Sequence, residues 1–282
     1  MHCYLNGEFL PTAEARVPVL DRGFLFGDGV YEVIPVYGRR PFRLDAHLRR
    51  LQRSLDALRM DPPHDHAHWR SLIAELVARQ PFDDQGIYLQ VTRGVAKRDH
   101  AFPKDVAPTV FMMGNPLVTP TAPQLAQGVA AITAADNRWL RCDIKSTALL
   151  ANVLLRQMAV DQGAAETILL REGQLTEGSA SNVFIVAGGV IASPPNGPLL
   201  LPGVTAEVVE DAARLEGVPL ERRPVSEEQL RGADEVWITS ASREVLAVSA
   251  LDGSPVGNGR PGPIFARIHQ RFQALKQADD AP

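Results

Sequence analysis

Arg141-Cys142-Asp143-Ile144-Lys145-Ser146, followed by Thr147-Ala148-Leu149-Leu150, sets a lysine among small and apolar residues. Surface lysines usually sit among other charges. A lysine behind Ile144 and ahead of Thr147-Ala148-Leu149-Leu150 is expected to be partly desolvated, which favours its neutral amine. A neutral lysine amine can form a Schiff base with a carbonyl compound. The same pattern predicts a short extended run before Lys145 and a helix opening near Ser146.

A second stretch, Thr176-Glu177-Gly178-Ser179-Ala180-Ser181-Asn182, puts a carboxylate in a turn of small residues. The apolar strand Val183-Phe184-Ile185-Val186 follows it. A lysine that holds an aldehyde and an acid that keeps a pyridine nitrogen protonated are the two parts a pyridoxal phosphate enzyme requires. Either residue alone fits an ordinary helix-start lysine or a solvated hairpin acid. The two segments gain weight because they agree in order and setting.

The run R-C-D-I-K-S, followed by L-T-E-G-S-x-S-N-V-F, resembles the class IV, branched-chain-type pyridoxal phosphate aminotransferases. Within that group it is most similar to the D-amino acid aminotransferases. The resemblance extends from Tyr4 to about His269. It implies a mixed α/β (α+β) chain of two domains with the cofactor in the cleft between them.

Composition agrees with a globular chain and excludes several classes. The 282 residues suit one large domain or two ordinary ones. The net charge is -4 with no long basic run, which argues against nucleic acid or an acidic membrane as partner. No apolar run approaches the ~18 residues of a membrane span. The N-terminus lacks a charged-then-apolar leader pattern, and Cys3 and Cys142 do not form a disulfide framework. A cytoplasmic setting is the resulting expectation, with Cys142 a space-filling thiol.

The chain opens with Tyr4-Leu5-Asn6-Gly7-Glu8-Phe9-Leu10, an Asn-Gly hairpin signature. Gly23, Gly27 and Gly29 then mark a loop where backbone comes close to another group. Leu44, Leu48, Leu51, Leu55 and Leu58 recur at helical spacing, with Asp45 as the expected N-cap. Arg49 and Arg53 fall on the far face of that helix, and Arg50 falls at its boundary. His64, His66 and His68 alternate, but they open a helix, where that spacing scatters the rings; no metal site is expected. Asn115 to Pro123 carries three prolines and no period, so residues 115–123 are the expected interdomain linker. They separate a smaller domain, 1–114, from a larger one, 124–282, that carries the cofactor lysine.

Leu201-Pro202-Gly203-Val204-Thr205 predicts a helix from Val204 to about Leu215, with free amides at its start that favour an anion. Arg50, the amides of Val204 and Thr205, and the hydroxyls of Thr205 and Ser240 are the expected phosphate donors. Leu201 and Ser181 join Glu177 as further cofactor contacts. The resemblance supports this set, with two departures. Family members often carry threonine where this chain has Ala241, and serine where it has Ala180. Cofactor affinity is the property those changes put in question.

Lys145 is the expected catalytic residue, holding pyridoxal 5'-phosphate and then moving the substrate Cα proton as base and acid. The resemblance assigns Tyr31, Arg98 and His100 to the substrate α-carboxylate. Arg98 and His100 lie two apart in an extended loop, a spacing that points both side chains the same way. In the family the arginine and histidine come from the partner subunit, so a homodimer is implied. The resulting expectation is a ping-pong transaminase moving the amino group of D-amino acids, such as D-alanine, to 2-oxo acids. A branched-chain L-amino acid aminotransferase, an (R)-amine transaminase and an aminodeoxychorismate lyase share the fold. The Arg98/His100 pair argues against all three. A nucleotide-binding oxidoreductase fails on context, because Gly27-Asp28-Gly29 has Glu32 at the third glycine position and strand-like residues after it. A non-catalytic small-molecule binder of the same fold is the remaining alternative from a different class.

Overall fold

The computed structural model describes residues 1–278. The chain divides into two compact units, Met1–Leu117 with Ile144–Leu149, and Val118–Asp143 with the chain from Leu150 onward.

The first unit contains β1 (His2–Leu5), β2 (Glu8–Pro11), α1 (Arg22–Phe26), β3 (Gly29–Tyr37), β4 (Arg40–Pro41), α2 (Leu44–Ala57), α3 (His66–Arg79), β5 (Gln85–Thr92) and β6 (Thr109–Pro116). Its six strands pair antiparallel in the order β2-β1-β6-β5-β3-β4. Leu48, Leu51 and Leu55 of α2 and Trp69, Ile73 and Leu76 of α3 are buried in one core with Ile34, Ile87, Leu89 and Met112 of the sheet. The helical leucine period thus becomes the buried face of α2. Arg43, in the left-handed region at φ 53°, is the N-cap of α2, and Asp45 lies inside the first turn. The expected Asp45 cap is therefore displaced by two residues. Asp65 caps α3 by accepting from the His68 amide at 2.8 Å, and the His64 ring packs on Trp69. No group of three His, Cys, Asp or Glu side chains able to hold a metal ion occurs among the described residues.

The Lys145 segment is counted with this unit, although it lies in sequence beyond the expected 115–123 linker. Val30 and Ser146 form an antiparallel bridge, and the Tyr31 amide donates to the Lys145 carbonyl at 2.9 Å. Ile144 is buried in the same core. Residues 146–149 are consequently non-helical. The Thr147 hydroxyl donates to the Gly27 carbonyl at 3.0 Å, and the helix expected at Ser146 starts at Leu150 instead. Gly27 caps α1 at φ 64°, where an added Cβ would come within 3.1 Å of the Ala148 Cα. The group that the glycine loop approaches is this segment.

The second unit contains α4 (Ala122–Gln127), β7 (Val129–Ala135), α5 (Leu150–Asp161), β8 (Glu166–Arg171), β9 (Gln174–Gly178), β10 (Asn182–Ala187), β11 (Val190–Ser193), α6 (Val204–Glu216), β12 (Leu220–Arg222), α7 (Glu227–Arg231), β13 (Glu235–Ser240), β14 (Glu244–Leu251), β15 (Ser254–Pro255) and α8 (Pro263–Ala278). Its sheet runs β12-β11-β10-β13-β14-β7-β8-β9, with β15 paired to β14. Val183, Ile185, Val236, Ile238, Leu246 and Val248 bury one face in a common core. Trp237 and Phe184 lie on the other face, where Trp237 packs on Phe265 of α8. A Ser226–Gln229 capping box opens α7. No helix among the described residues is long and apolar enough to cross a membrane.

Candidate active site

In the first unit, Lys145 is half-buried and its Nζ stands 4.1 Å from the centroid of the Tyr31 ring. Two backbone ties fix this placement. The Lys145 carbonyl accepts from Tyr31, and its amide donates to the Ser54 hydroxyl of α2 at 3.3 Å. Tyr31 in turn stacks on Tyr88 across the β3–β5 pair, with ring centroids 5.6 Å apart.

Arg50, expected at the helix boundary, is buried. Its Nε donates to Glu32 Oε1 at 2.8 Å and its Nη2 to Glu32 Oε2 at 2.7 Å, while His47 Nδ1 meets the same carboxylate at 2.8 Å. Burial raises the Glu32 carboxyl, but Arg50 and His47 more than offset it and hold it well below its ordinary value. A bidentate pair of this kind fixes the plane of the guanidinium. Glu32 and His47, which orient Arg50, are not among the residues expected from sequence; the acid hides in the apolar run of β3.

Arg98 and His100 lie exposed in the loop between β5 and β6. The Arg98 guanidinium sits 5.2 Å from the Phe26 ring centroid, and the His100 ring is 5.5 Å from it. Phe26 brings the pair together. Among the described residues, no hydrogen bond or ring contact joins either of them to Tyr31.

In the second unit, Glu177 lies near the end of β9 as a buried carboxylate. Arg138 Nη1 donates to Oε1, and the Leu201 amide donates to Oε2 at 3.1 Å, with Asn182 Nδ2 at 3.4 Å. Arg138 is held in turn by Asp136, through Nε to Oδ1 and Nη2 to Oδ2, both at 2.9 Å. Asp136 also accepts from the Thr176 hydroxyl. Burial pushes the Glu177 carboxyl up to about 7, against the pull of Arg138, and the two carboxylates hold the Arg138 guanidinium charged, above its ordinary value. Arg138 and Asp136 were not among the expected site residues. The short Asp136-Asn137-Arg138 run after an apolar strand is their only sequence signal.

The turn after Glu177 rests on another acid. Glu166, fully buried, accepts from the Ser179 hydroxyl and from the Ser181 hydroxyl at 2.7 Å, and pairs with Arg243 Nη1 at 2.6 Å. The Ser181 proton is thus engaged, and Ala180 is exposed. Ser240 Oγ accepts from the Arg243 amide at 3.2 Å, which leaves the Ser240 O–H as a donor. Cys142 is buried, its thiol is pushed up to about 11 by that burial, and its Sγ donates to the Trp139 carbonyl at 3.2 Å.

Helix α6 starts at Val204 with Gly203 as a cap that offers no side chain. The first amides of a helix lack intrahelical acceptors and favour an anion. An added Cβ at Gly203 would lie 1.9 Å from Asn182 Oδ1, so the backbone here approaches the site as only glycine allows.

The family model for amino-transferase class IV matches residues 29–251, which spans β3 to the end of β14. The chain belongs to the class IV aminotransferases. Among relatives of this family, the D-alanine aminotransferase of Bacillus licheniformis is 41% identical over 97% of this chain and 96% of its own. The D-alanine aminotransferase of Staphylococcus aureus strain MW2 is 39% identical, with 96% of each chain covered. Of solved structures, the branched-chain amino acid aminotransferase of Escherichia coli matches with a TM-score of 0.92 at 27% identity, covering 99% of this chain and 95% of that one. A second branched-chain amino acid aminotransferase, solved with pyridoxamine 5'-phosphate, matches with a TM-score of 0.90 at 28% identity, covering 98% of this chain and 94% of that one. The branched-chain aminotransferase of the archaeon Thermoproteus uzoniensis, solved with norvaline, matches with a TM-score of 0.88 at 27% identity, covering 99% and 96%.

The residues of this chain fit the class IV cofactor, pyridoxal phosphate. By their chemistry, the first unit offers an amine in Lys145, and the second a buried acid in Glu177 and free amides at the start of α6. Thr239 adds a further mark. It is the register partner of Asn182, is 1% exposed, and its hydroxyl has no hydrogen-bond partner. A buried donor without a partner is uncommon and points to a group that completes the site.

Proposed function

We propose that the protein is a pyridoxal 5'-phosphate-dependent D-amino acid transaminase, moving the amino group of substrates such as D-alanine to a 2-oxo acid such as 2-oxoglutarate. The observation that carries this reading is the fixed pairing of Lys145 with Tyr31, the lysine Nζ 4.1 Å from the ring centroid. It sets the amine beside a residue assigned to the substrate carboxylate. The full-length likeness to D-alanine aminotransferases supports the substrate class.

When bound, pyridoxal phosphate supplies an aldehyde for the amino group and a ring that draws electrons from the substrate Cα. Lys145 would hold that aldehyde, and its amine would be the base and acid that carries the substrate Cα proton. Glu177 would keep the ring nitrogen protonated, with Arg138 fixing the carboxylate. Arg50, the Val204 and Thr205 amides, and the hydroxyls of Thr205 and Ser240 would hold the phosphate. Leu201 and Ser181 flank the acid and the turn beside it. Tyr31, together with the Arg98 and His100 side chains of a second copy of the chain, would take the substrate α-carboxylate.

That last assignment requires a homodimer. Helix α5 supports one: Leu150, Val153 and Leu154 are 73%, 59% and 60% exposed, and Met158 extends the stripe by one turn. A contiguous apolar stripe of this kind marks an interaction surface. A cytoplasmic setting is proposed with it.

The test is a half-reaction. Visible absorption of the purified protein is followed as D-alanine, L-leucine or (R)-1-phenylethylamine is added separately, without a 2-oxo acid. Loss of the visible band with D-alanine alone is the expected result. A response only to L-leucine or the amine would replace the D-amino acid reading. Lys145→Ala should show neither the native band nor turnover; full turnover in that variant would overturn the lysine assignment.

A further inference from the structure

The loop that carries Arg98 and His100 is held from below by one buried side chain. Arg22, the first residue of α1, is 3% exposed. Its Nη1 donates to the Asp99 carbonyl at 2.6 Å and more weakly to the Ala101 carbonyl at 3.4 Å; Nη2 reaches the His100 carbonyl at 3.5 Å. Three consecutive carbonyls therefore converge on one guanidinium. The third nitrogen, Nε, donates to Asp28 Oδ2 at 2.7 Å. Asp28 also holds Arg93 at the root of the same loop, through Nε at 2.8 Å and Nη2 at 3.1 Å. Arg93 in turn donates to the Leu58 carbonyl and lies 3.7 Å from the centroid of Phe102 at the loop's far side.

Phe26 completes the arrangement. It lies on the same short helix as Arg22, and the Arg22, Arg98 and His100 side chains all pack on its ring. A solvated loop needs none of this. Exposed side chains on a free loop lose orientation, whereas a buried arginine bound to a run of carbonyls fixes both the path and the reach of the residues between them.

We propose that Arg22 is a positioning residue for substrate recognition: through the Asp99–Ala101 carbonyls it sets where Arg98 and His100 present their charges to the substrate carboxylate. The inference rests on the reading of Arg98 and His100 as carboxylate donors and goes beyond it, since Arg22 hydrogen-bonds to the loop through backbone alone and touches no substrate. Asp28 is the counter-ion that orients Arg22, and Arg93 keeps Asp28 paired when Arg22 is replaced.

Arg22→Met, Arg22→Lys and Arg98→Ala are compared as holoenzymes with D-alanine. The expected result for Arg22→Met is a KM raised about tenfold, kcat changed less than about threefold, and an unchanged visible spectrum. Arg22→Lys keeps the charge and one donor and is expected to fall between Met and the parent. A second readout does not depend on turnover: trypsin should cut after Lys97 and Arg98 faster in both Arg22 variants than in the parent. If Arg22→Met does not fold, Arg22→Lys carries both measurements. An Arg22 variant with parental KM and parental tryptic rate, alongside a raised KM in Arg98→Ala, overturns the positioning role and leaves the clamp standing. Parental KM in Arg98→Ala and His100→Ala overturns the clamp and this inference together.

Discussion

Arg138 donates to Glu177 with one nitrogen while Asp136 takes bonds from its other two, so Glu177 is held by a cation that is itself held by a second acid. The chain Asp136–Arg138–Glu177 links the end of β7 to the end of β9. It gives Glu177 a fixed orientation without requiring solvent access, and it makes the carboxylate sensitive to everything that changes charge nearby.

The raised Glu177 carboxyl predicts a stability difference in the cofactor-free protein. Between pH 4.5 and about 7 the folded chain keeps a proton on Glu177 that the unfolded chain has released. Its contribution to stability therefore falls as pH rises through that window and is level outside it. Glu177→Gln has no such proton. Denaturant unfolding of both cofactor-free proteins at pH 5 and pH 8 should show the glutamine variant gaining on the parent as pH rises, by up to about 3 kcal/mol. A difference that stays constant with pH would mean that Glu177 is ionised throughout.

Gly203→Ala tests the helix start. The new Cβ would meet Asn182 Oδ1 at 1.9 Å, and that side chain also donates to the Leu201 carbonyl at 2.8 Å and to Glu177. Either α6 or Asn182 must shift, at about 1–3 kcal/mol for overpacking of this kind. Titrating the cofactor-free variant with pyridoxal phosphate should show at least about tenfold weaker binding than the parent. Parental affinity would remove α6 from the phosphate site.

Leu154→Glu places a charge in the middle of the α5 stripe. Light scattering coupled to size exclusion should show the parent as a dimer and the variant shifted to monomer, with loss of activity at low concentration. An unchanged dimer would move the interface off α5.

Much of the candidate site is legible in the sequence because the signals of its residues are local. Lys145 and Glu177 each stand in a short run of distinctive neighbours, and the α6 start follows from Pro202-Gly203 before an amphipathic stretch. Contacts set by strand pairing leave no such trace. Glu166 reads as one more residue of β8, yet folding brings it to Ser179, Ser181 and Arg243. Glu32 is similarly hidden in β3 until α2 lays Arg50 and His47 on it. The helix expected at Ser146 is displaced because Thr147 and Ser146 spend their hydrogen bonds on the glycine loop and β3, which no local propensity anticipates.

The Glu166 carboxylate has one more consequence. By bonding Ser179, Ser181 and Arg243 at once, it welds the turn beside Glu177 to the turn after β13, two stretches far apart in sequence. Ser240, whose hydroxyl accepts from the Arg243 amide, belongs to the second turn. The turn beside Glu177 and the turn that carries Ser240 are thus tied to one buried carboxylate. A change in Arg243 should be transmitted to the turn beside Glu177, and selection on either turn acts on both.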